Sequence, residues 1–111
     1  MNVTLESYAL AELVRLEGPL NAACTDRVRH DLEGVFVRGP RILVFDLAQV
    51  PDMDSSGIGT LIWALKRMRT QGGDVRILNL HGMVKRLFDL LHLERTMTVC
   101  TTLEQAIAPP V

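Results

Sequence analysis

The hydrophobic pattern along the chain alternates between strand-like runs and helix-like stripes. Residues 41–47 (RILVFDL) form a nearly unbroken apolar run, which is typical of a central strand covered on both faces. Between Cys24 and Phe36, apolar side chains recur at helical spacing with charged residues between them. These patterns predict a strand and an amphipathic helix, and we expect Asn21 to be the N-cap of that helix.

The rest of the chain repeats this alternation. Further strands are predicted at residues 10–16, 75–80 and 96–100, with a short strand before them at residues 2–6. Helical stripes occupy residues 58–68 and 84–91, and Thr101 with Glu104 forms a capping-box pattern that opens a last short helix. Alternating strands and helices imply crossover connections. We therefore predict an α/β fold, with a mostly parallel or mixed sheet of roughly four to five strands packed with about four α-helices.

Composition and charge narrow the functional classes. Apolar residues make up 48% of the chain and charged residues 23%, which is typical of a globular protein, and the length suits a single domain over residues 1–111. The chain has 13 acidic and 12 basic residues, so its charges nearly cancel. Direct nucleic-acid binding is therefore disfavoured. No apolar run approaches the ~18 residues of a membrane span, and the histidines and cysteines lack metal-ligand spacing. We expect a cytoplasmic protein with no membrane contact, metal or cofactor.

The most informative stretch is residues 51–59 (PDMDSSGIG), between the central strand and the second helix. Sites in open α/β sheets usually form at this position. Asp54, Ser55 and Ser56 are all good N-cap residues, so helix capping alone would explain them. A second reading is that a serine here receives a phosphoryl group, because free N–H groups and the helix dipole favour added negative charge.

The same stretch lacks the patterns of two common enzyme sites. Gly57 and Gly59 begin like a dinucleotide fingerprint, but Ile62 occupies the third glycine position. A hydrolase nucleophile elbow needs glycine two residues before the serine, where Met53 precedes Ser55. We therefore expect no catalytic activity, and we expect both glycines to let neighbouring backbone approach closely.

Four segments together resemble a known family. These are the MDSSGIG block at residues 53–59, Gly72-Gly73, VKRLFD at residues 84–89, and Gly18-Pro19-Leu20. They resemble the stand-alone STAS-domain proteins, the bacterial anti-sigma factor antagonists, and the likeness covers nearly the whole chain. The resemblance implies a STAS-like fold for the single domain.

The resemblance also implies a phosphorylation switch. Ser55 matches the serine that an anti-sigma factor phosphorylates, and that anti-sigma factor is itself an ATP-binding serine kinase of the GHKL type. The unphosphorylated antagonist binds the anti-sigma factor and releases the sigma factor, and a PP2C-type phosphatase restores it. By resemblance, this chain is a substrate and ligand rather than an enzyme, and is monomeric when free.

Site roles follow by the same resemblance. Asp54 would present Ser55 or cap the helix, and Ser56 and Gly57 would shape the loop. Gly59 and the exposed side of the second helix would lie in the partner contact.

Two positions depart from the family pattern. Asn21 stands where aspartate is common, and it keeps the capping ability but loses a charge. Trp63 stands where a small residue is usual. It is either an exposed binding anchor or satellite core under a neighbouring loop.

An alternative function is an adaptor subunit of a lipid-transport ABC system. Such STAS-domain subunits keep a similar loop but bind a transporter ATPase constitutively. The Ser55-Ser56 pair and residues 84–89 favour the sigma-regulatory function.

Overall fold

The sheet in the computed structural model, which describes residues 1–109, has five strands in sequence order. β1 pairs antiparallel with β2, and all other neighbours are parallel. The strands are β1 (Asn2–Ser7), β2 (Ala11–Glu17), β3 (Ile42–Gln49), β4 (Asp74–Leu78) and β5 (Thr98–Cys100). The predicted mixed sheet is therefore confirmed, and β3 is its central strand. Residues 110–111 lie outside the described part, so the extent of the domain to residue 111 stays a prediction.

Four α-helices pack against this sheet within residues 1–109. They are α1 (Thr25–Arg38), α2 (Ser55–Thr70), α3 (Gly82–Leu91) and α4 (Leu103–Ile107), with a 3-10 turn at Leu93–Arg95. None of the helices described has both the length and the apolar character needed to cross a membrane.

The core lies on both faces of β3. Leu43 and Phe45 point into the main cluster, which also contains buried side chains of α1, α2 and α3. Ile42 and Val44 point the other way and pack with Ala106 of α4. Because successive residues of a strand alternate between faces, burial on both sides explains the unbroken apolar run.

The structure corrects the predicted caps of α1 and α4. α1 begins at Thr25 with Cys24 at the N-cap position, so the prediction that Asn21 caps α1 is wrong. Asn21 Oδ1 instead accepts a hydrogen bond of 3.0 Å from the N–H of Ala23, closing the turn before the helix. α4 is capped by Thr102 rather than by Thr101, and Thr102 Oγ1 accepts from the N–H of Gln105 at 3.2 Å.

One residue of the predicted third stripe is exposed. Val84 and Phe88 are buried as predicted, but Leu91 is 49% exposed. The chain turns at His92, which has a φ of 54°, and Leu93 takes the buried position instead. α3 also leaves Met83 exposed, in its first turn.

The corrected cap of α4 leads to a stability prediction. We expect Thr102→Ala to lower the free energy of unfolding by about 1 kcal/mol, because the N–H of Gln105 loses its partner. Urea denaturation measures this change. Thr101→Ala is the control, since the Thr101 hydroxyl contacts only the exposed side chain of Gln105. Equal losses in the two variants would contradict the assignment of the cap.

Candidate functional site

The start of α2 is held by the carboxylate of Asp54. Asp54 is the N-cap residue, and its Oδ1 accepts a hydrogen bond of 3.0 Å from the N–H of Gly57. Its Oδ2 accepts from the N–H of Ala22 at 3.3 Å, in the loop between β2 and α1. Of the candidate capping residues, Asp54 therefore caps the helix, and one side chain joins two loops.

Main-chain contacts bring these two loops together. Leu20 and Met53 form an isolated parallel bridge, and the N–H of Leu20 donates to the carbonyl of Asp52 at 3.2 Å. The N–H of Asp54 donates to the carbonyl of Leu20 at 3.3 Å. The loop that carries Asn21 thus lies beside the start of α2.

The two glycines of the motif have different roles. A Cβ atom on Gly57 would lie 2.2 Å from the carbonyl oxygen of Leu20 and 2.6 Å from Cγ of Met53. The predicted close approach is confirmed there. A Cβ on Gly59 would meet no atom within 4 Å, so the same prediction is wrong for Gly59. Two residues rotate the helix by about 200°, which turns Gly59 away from the β2–α1 loop.

The two serines differ in exposure. Ser55 is the first residue of α2 and is exposed, whereas Ser56 is half-buried. The carbonyl of Ser56 accepts a hydrogen bond of 3.0 Å from the hydroxyl of Thr60, which is buried. No acidic side chain lies in the first turn of α2 itself, and the carboxylate of the N-cap residue Asp54 lies at the positive end of the helix dipole, next to Ser55.

Trp63 lies apart from this group. Its ring is 5.4 Å from that of Phe36 at an interplanar angle of 73°, and the Arg29 guanidinium lies 5.1 Å from the centre of the tryptophan ring. Arg29 and Phe36 belong to α1, so Trp63 packs against a helix rather than under a loop. This packing favours the satellite-core reading, because the ring is half-buried between α1 and α2.

The structure thus brings most of the predicted residues to one end of the sheet. These are Asn21, Asp54, Ser55, Ser56 and Gly57. Sequence reasoning missed the main-chain groups of Leu20 and Ala22, which carry no side-chain signal. Met83, at the start of α3, is 62% exposed. α3 follows β4, the neighbour of β3, so both helices begin at the same edge of the sheet.

Comparisons with known proteins agree with this architecture. A family model described as the STAS domain matches residues 2–106. The anti-sigma F factor antagonist of Paenibacillus polymyxa is 28% identical over 100 residues, which is 89% of this chain and 86% of that protein. The anti-sigma-B factor antagonist of Listeria monocytogenes is 30% identical over 76 residues, covering 68% of this chain and 67% of that protein.

A solved structure shares the fold. The anti-sigma factor antagonist SpoIIAA in its unphosphorylated form has a TM-score of 0.81 at 22% identity, with 96% of this chain and 93% of that chain covered. The Bacillus cell fate determinant SpoIIAA in its phosphorylated form has a TM-score of 0.74 at 22% identity, with 96% of each chain covered. The chain belongs to the STAS domain family, and the resemblance to anti-sigma factor antagonists inferred from the sequence is confirmed. These relatives are named as regulatory antagonists rather than as enzymes.

The contrast between the two glycines gives a matched pair of variants. We expect Gly57→Ala to lower the free energy of unfolding by about 1–3 kcal/mol, because the new methyl group must displace the carbonyl of Leu20. Gly59→Ala should raise it by up to about 1 kcal/mol, since alanine is the better helix former and space is open. Urea denaturation of both variants measures the two changes. Loss of stability in Gly59→Ala as large as in Gly57→Ala would contradict the described packing.

Proposed function

We propose that this chain is an anti-sigma factor antagonist whose binding is switched by phosphorylation of Ser55. The unphosphorylated form binds an anti-sigma factor that is a GHKL-type serine kinase, and this binding releases the sigma factor. Phosphorylation by that kinase ends the binding, and a PP2C-type phosphatase restores it. The antagonist acts in the cytoplasm as a monomeric single domain over residues 1–111.

The observation that carries the proposal is the exposed hydroxyl of Ser55 at the capped start of α2. Exposure gives a kinase access to the Ser55 hydroxyl, whereas Ser56 is half-buried. The Asp54 cap fixes the backbone around Ser55 through the N–H of Gly57, so the hydroxyl is presented at a defined position. A phosphate there lies at the N-terminal end of α2, where the helix dipole favours negative charge.

Charge provides the switch. Asp52 and Asp54 are both exposed beside Ser55, so this end of the domain already carries carboxylates. A phosphate adds roughly −1.5 to −2 charges at pH 7, which must be desolvated when the surface docks. The added charge repels acidic groups of a partner and increases the cost of docking. Binding by the unphosphorylated form and release of the phosphorylated form follow from this difference.

The partner surface in this proposal comprises the start of α2 and the adjoining β2–α1 loop. It includes Asn21, Asp54 and Ser56, with Gly57 buried beneath them, and the open side of Gly59 lets a partner backbone approach the next turn of the helix. Trp63 lies about 12 Å further along the helix axis, so it contributes only at the margin of this surface.

The names of the relatives support the proposal. The Paenibacillus polymyxa protein is named as an antagonist of the anti-sigma F factor. The Bacillus protein SpoIIAA, which shares the fold, is known in unphosphorylated and phosphorylated forms. The resemblance at residues 53–59 aligns this regulatory chemistry with Ser55.

Phosphate transfer is the direct test. We expect that incubation with ATP and the serine kinases encoded by the source organism adds a single phosphate, detected by intact-mass spectrometry and located on Ser55 by peptide mapping. Ser55→Ala should abolish the mass increase, and Ser56→Ala should retain it. No phosphate from any of these kinases, together with co-purification of a transporter ATPase, would instead identify a lipid-transport adaptor.

The charge-switch mechanism has its own test. We expect Ser55→Asp to weaken binding to the partner kinase by about tenfold or more, because a carboxylate is desolvated at the contact. Ser55→Asn is the matched control, since asparagine has nearly the same shape as aspartate but carries no charge. Isothermal titration calorimetry measures both affinities. Equal affinities of Ser55→Asp and Ser55→Asn would show that shape, and not charge, governs release.

A further inference from the structure

A buried carboxylate lies beneath the two loops that lead into α2 and α3. Asp46 is on β3, on the sheet face opposite α1, and its side chain is only 9% exposed. Its Oδ1 accepts hydrogen bonds from the N–H of Ala48 at 3.0 Å and from Nδ2 of Asn79 at 2.9 Å. Its Oδ2 accepts from Nε of Arg15 on β2 at 3.2 Å. A single side chain therefore contacts three strand ends, and charge-assisted bonds of this kind are the stronger ones.

The Asn79 contact fixes the connection between β4 and α3. Asn79 directly follows β4, and its φ of 61° places it in the left-handed region, where asparagine is one of the few tolerated residues. Leu80 and His81 then lead to the first residue of α3. Nε2 of His81 donates to the carbonyl of Ala48 at 2.9 Å. Two hydrogen bonds, from Asn79 to Asp46 and from His81 to Ala48, thus join the β4–α3 connection to the end of β3.

The end of β3 in turn leads into the start of α2. Ala48 joins the two contacts, since its N–H donates to Asp46, which also accepts from Asn79, and its carbonyl accepts from His81. Residues 50–54 connect β3 to Ser55, and Val50 within them is fully buried. On the side of β4, this connection adjoins the hydrogen bonds of Asp46 with Ala48 and Asn79. On the side of β2, it is hydrogen-bonded to Leu20 and Ala22.

We propose that Asp46 is a positioning residue that couples the first turn of α2 to the first turn of α3. Asp46 contacts Asn79 and Ala48 directly, and Ala48 in turn accepts from His81. Together these bonds hold the Ser55 end of α2 and the exposed Met83 of α3 in one arrangement, without Asp46 itself reaching the surface. The relevance of this coupling for partner binding rests on the proposed function. The coupling itself is a property of the free protein and is tested there.

Amide hydrogen exchange followed by NMR resolves the coupling residue by residue. The test variant combines Asn79→Gly and His81→Ala. It removes the hydrogen bond from Asn79 to Asp46 and the one from His81 to Ala48. Glycine adopts the φ of Asn79 without strain, and the His81 side chain makes no cap bond to α3, so the fold is retained. We expect exchange at Ile58 in α2 and at Lys85 in α3 to accelerate by about tenfold or more, with Phe45 in β3 unchanged.

Two results would overturn the proposal. Faster amide exchange at Lys85 with unchanged exchange at Ile58 would mean that the two hydrogen bonds affect α3 alone. Equal acceleration at all amides, with a matching loss in urea stability, would mean that the contacts only stabilise the fold. Glu6→Gln is the control, because it removes the outer ion pair of Arg15 without touching Asp46. Since no partner or kinase enters these measurements, failure of Ser55 phosphorylation and failure of the coupling are observed separately.

Discussion

The contact between the start of α2 and the β2–α1 loop is the constraint on which the candidate site of this domain depends. The carboxylate of Asp54 accepts from the N–H of Gly57 and from the N–H of Ala22, and Gly57 lies against the carbonyl of Leu20 with no room for a side chain. These contacts are mutually dependent. The carboxylate reaches both loops only because they lie this close, and they lie this close only because residue 57 is glycine.

The same constraint explains how a small domain presents Ser55 to solvent while the adjoining Asp54 and Gly57 are held by hydrogen bonds. Both faces of the sheet are covered, by α1, α2 and α3 on one side and by the short α4 on the other. The candidate site lies at the end of the sheet where α2 and α3 begin. Main-chain hydrogen bonds to Leu20 and the hydrogen bonds of Asp46 lie beneath that end of the sheet.

Local sequence patterns anticipated much of this edge. The order of strands and helices followed from hydrophobic periodicity, and β3 was recognised from its unbroken apolar run. The stretch at residues 51–59 was placed at the carboxyl end of β3, where the structure has it. The caps of α1 and α4 were assigned wrongly, because serine, threonine and asparagine also close turns just outside a helix and sequence alone does not separate the two uses.

What the sequence determined by itself are properties that depend on near neighbours in the chain: the elements, their order, and the presence of a cap-rich turn before α2. Tertiary structure alone decided which segment lies opposite that turn. The parallel pairing of β2 with β3 places Leu20 beside Met53, and this separates Gly57, which contacts a backbone, from Gly59, which faces open space. The tertiary structure also packs Trp63 against α1 and pairs Asp46 with Asn79. Both are contacts between residues far apart in the chain. Such pairings are set by the register of the sheet and the packing of helices on it, and no periodicity of a single segment encodes them.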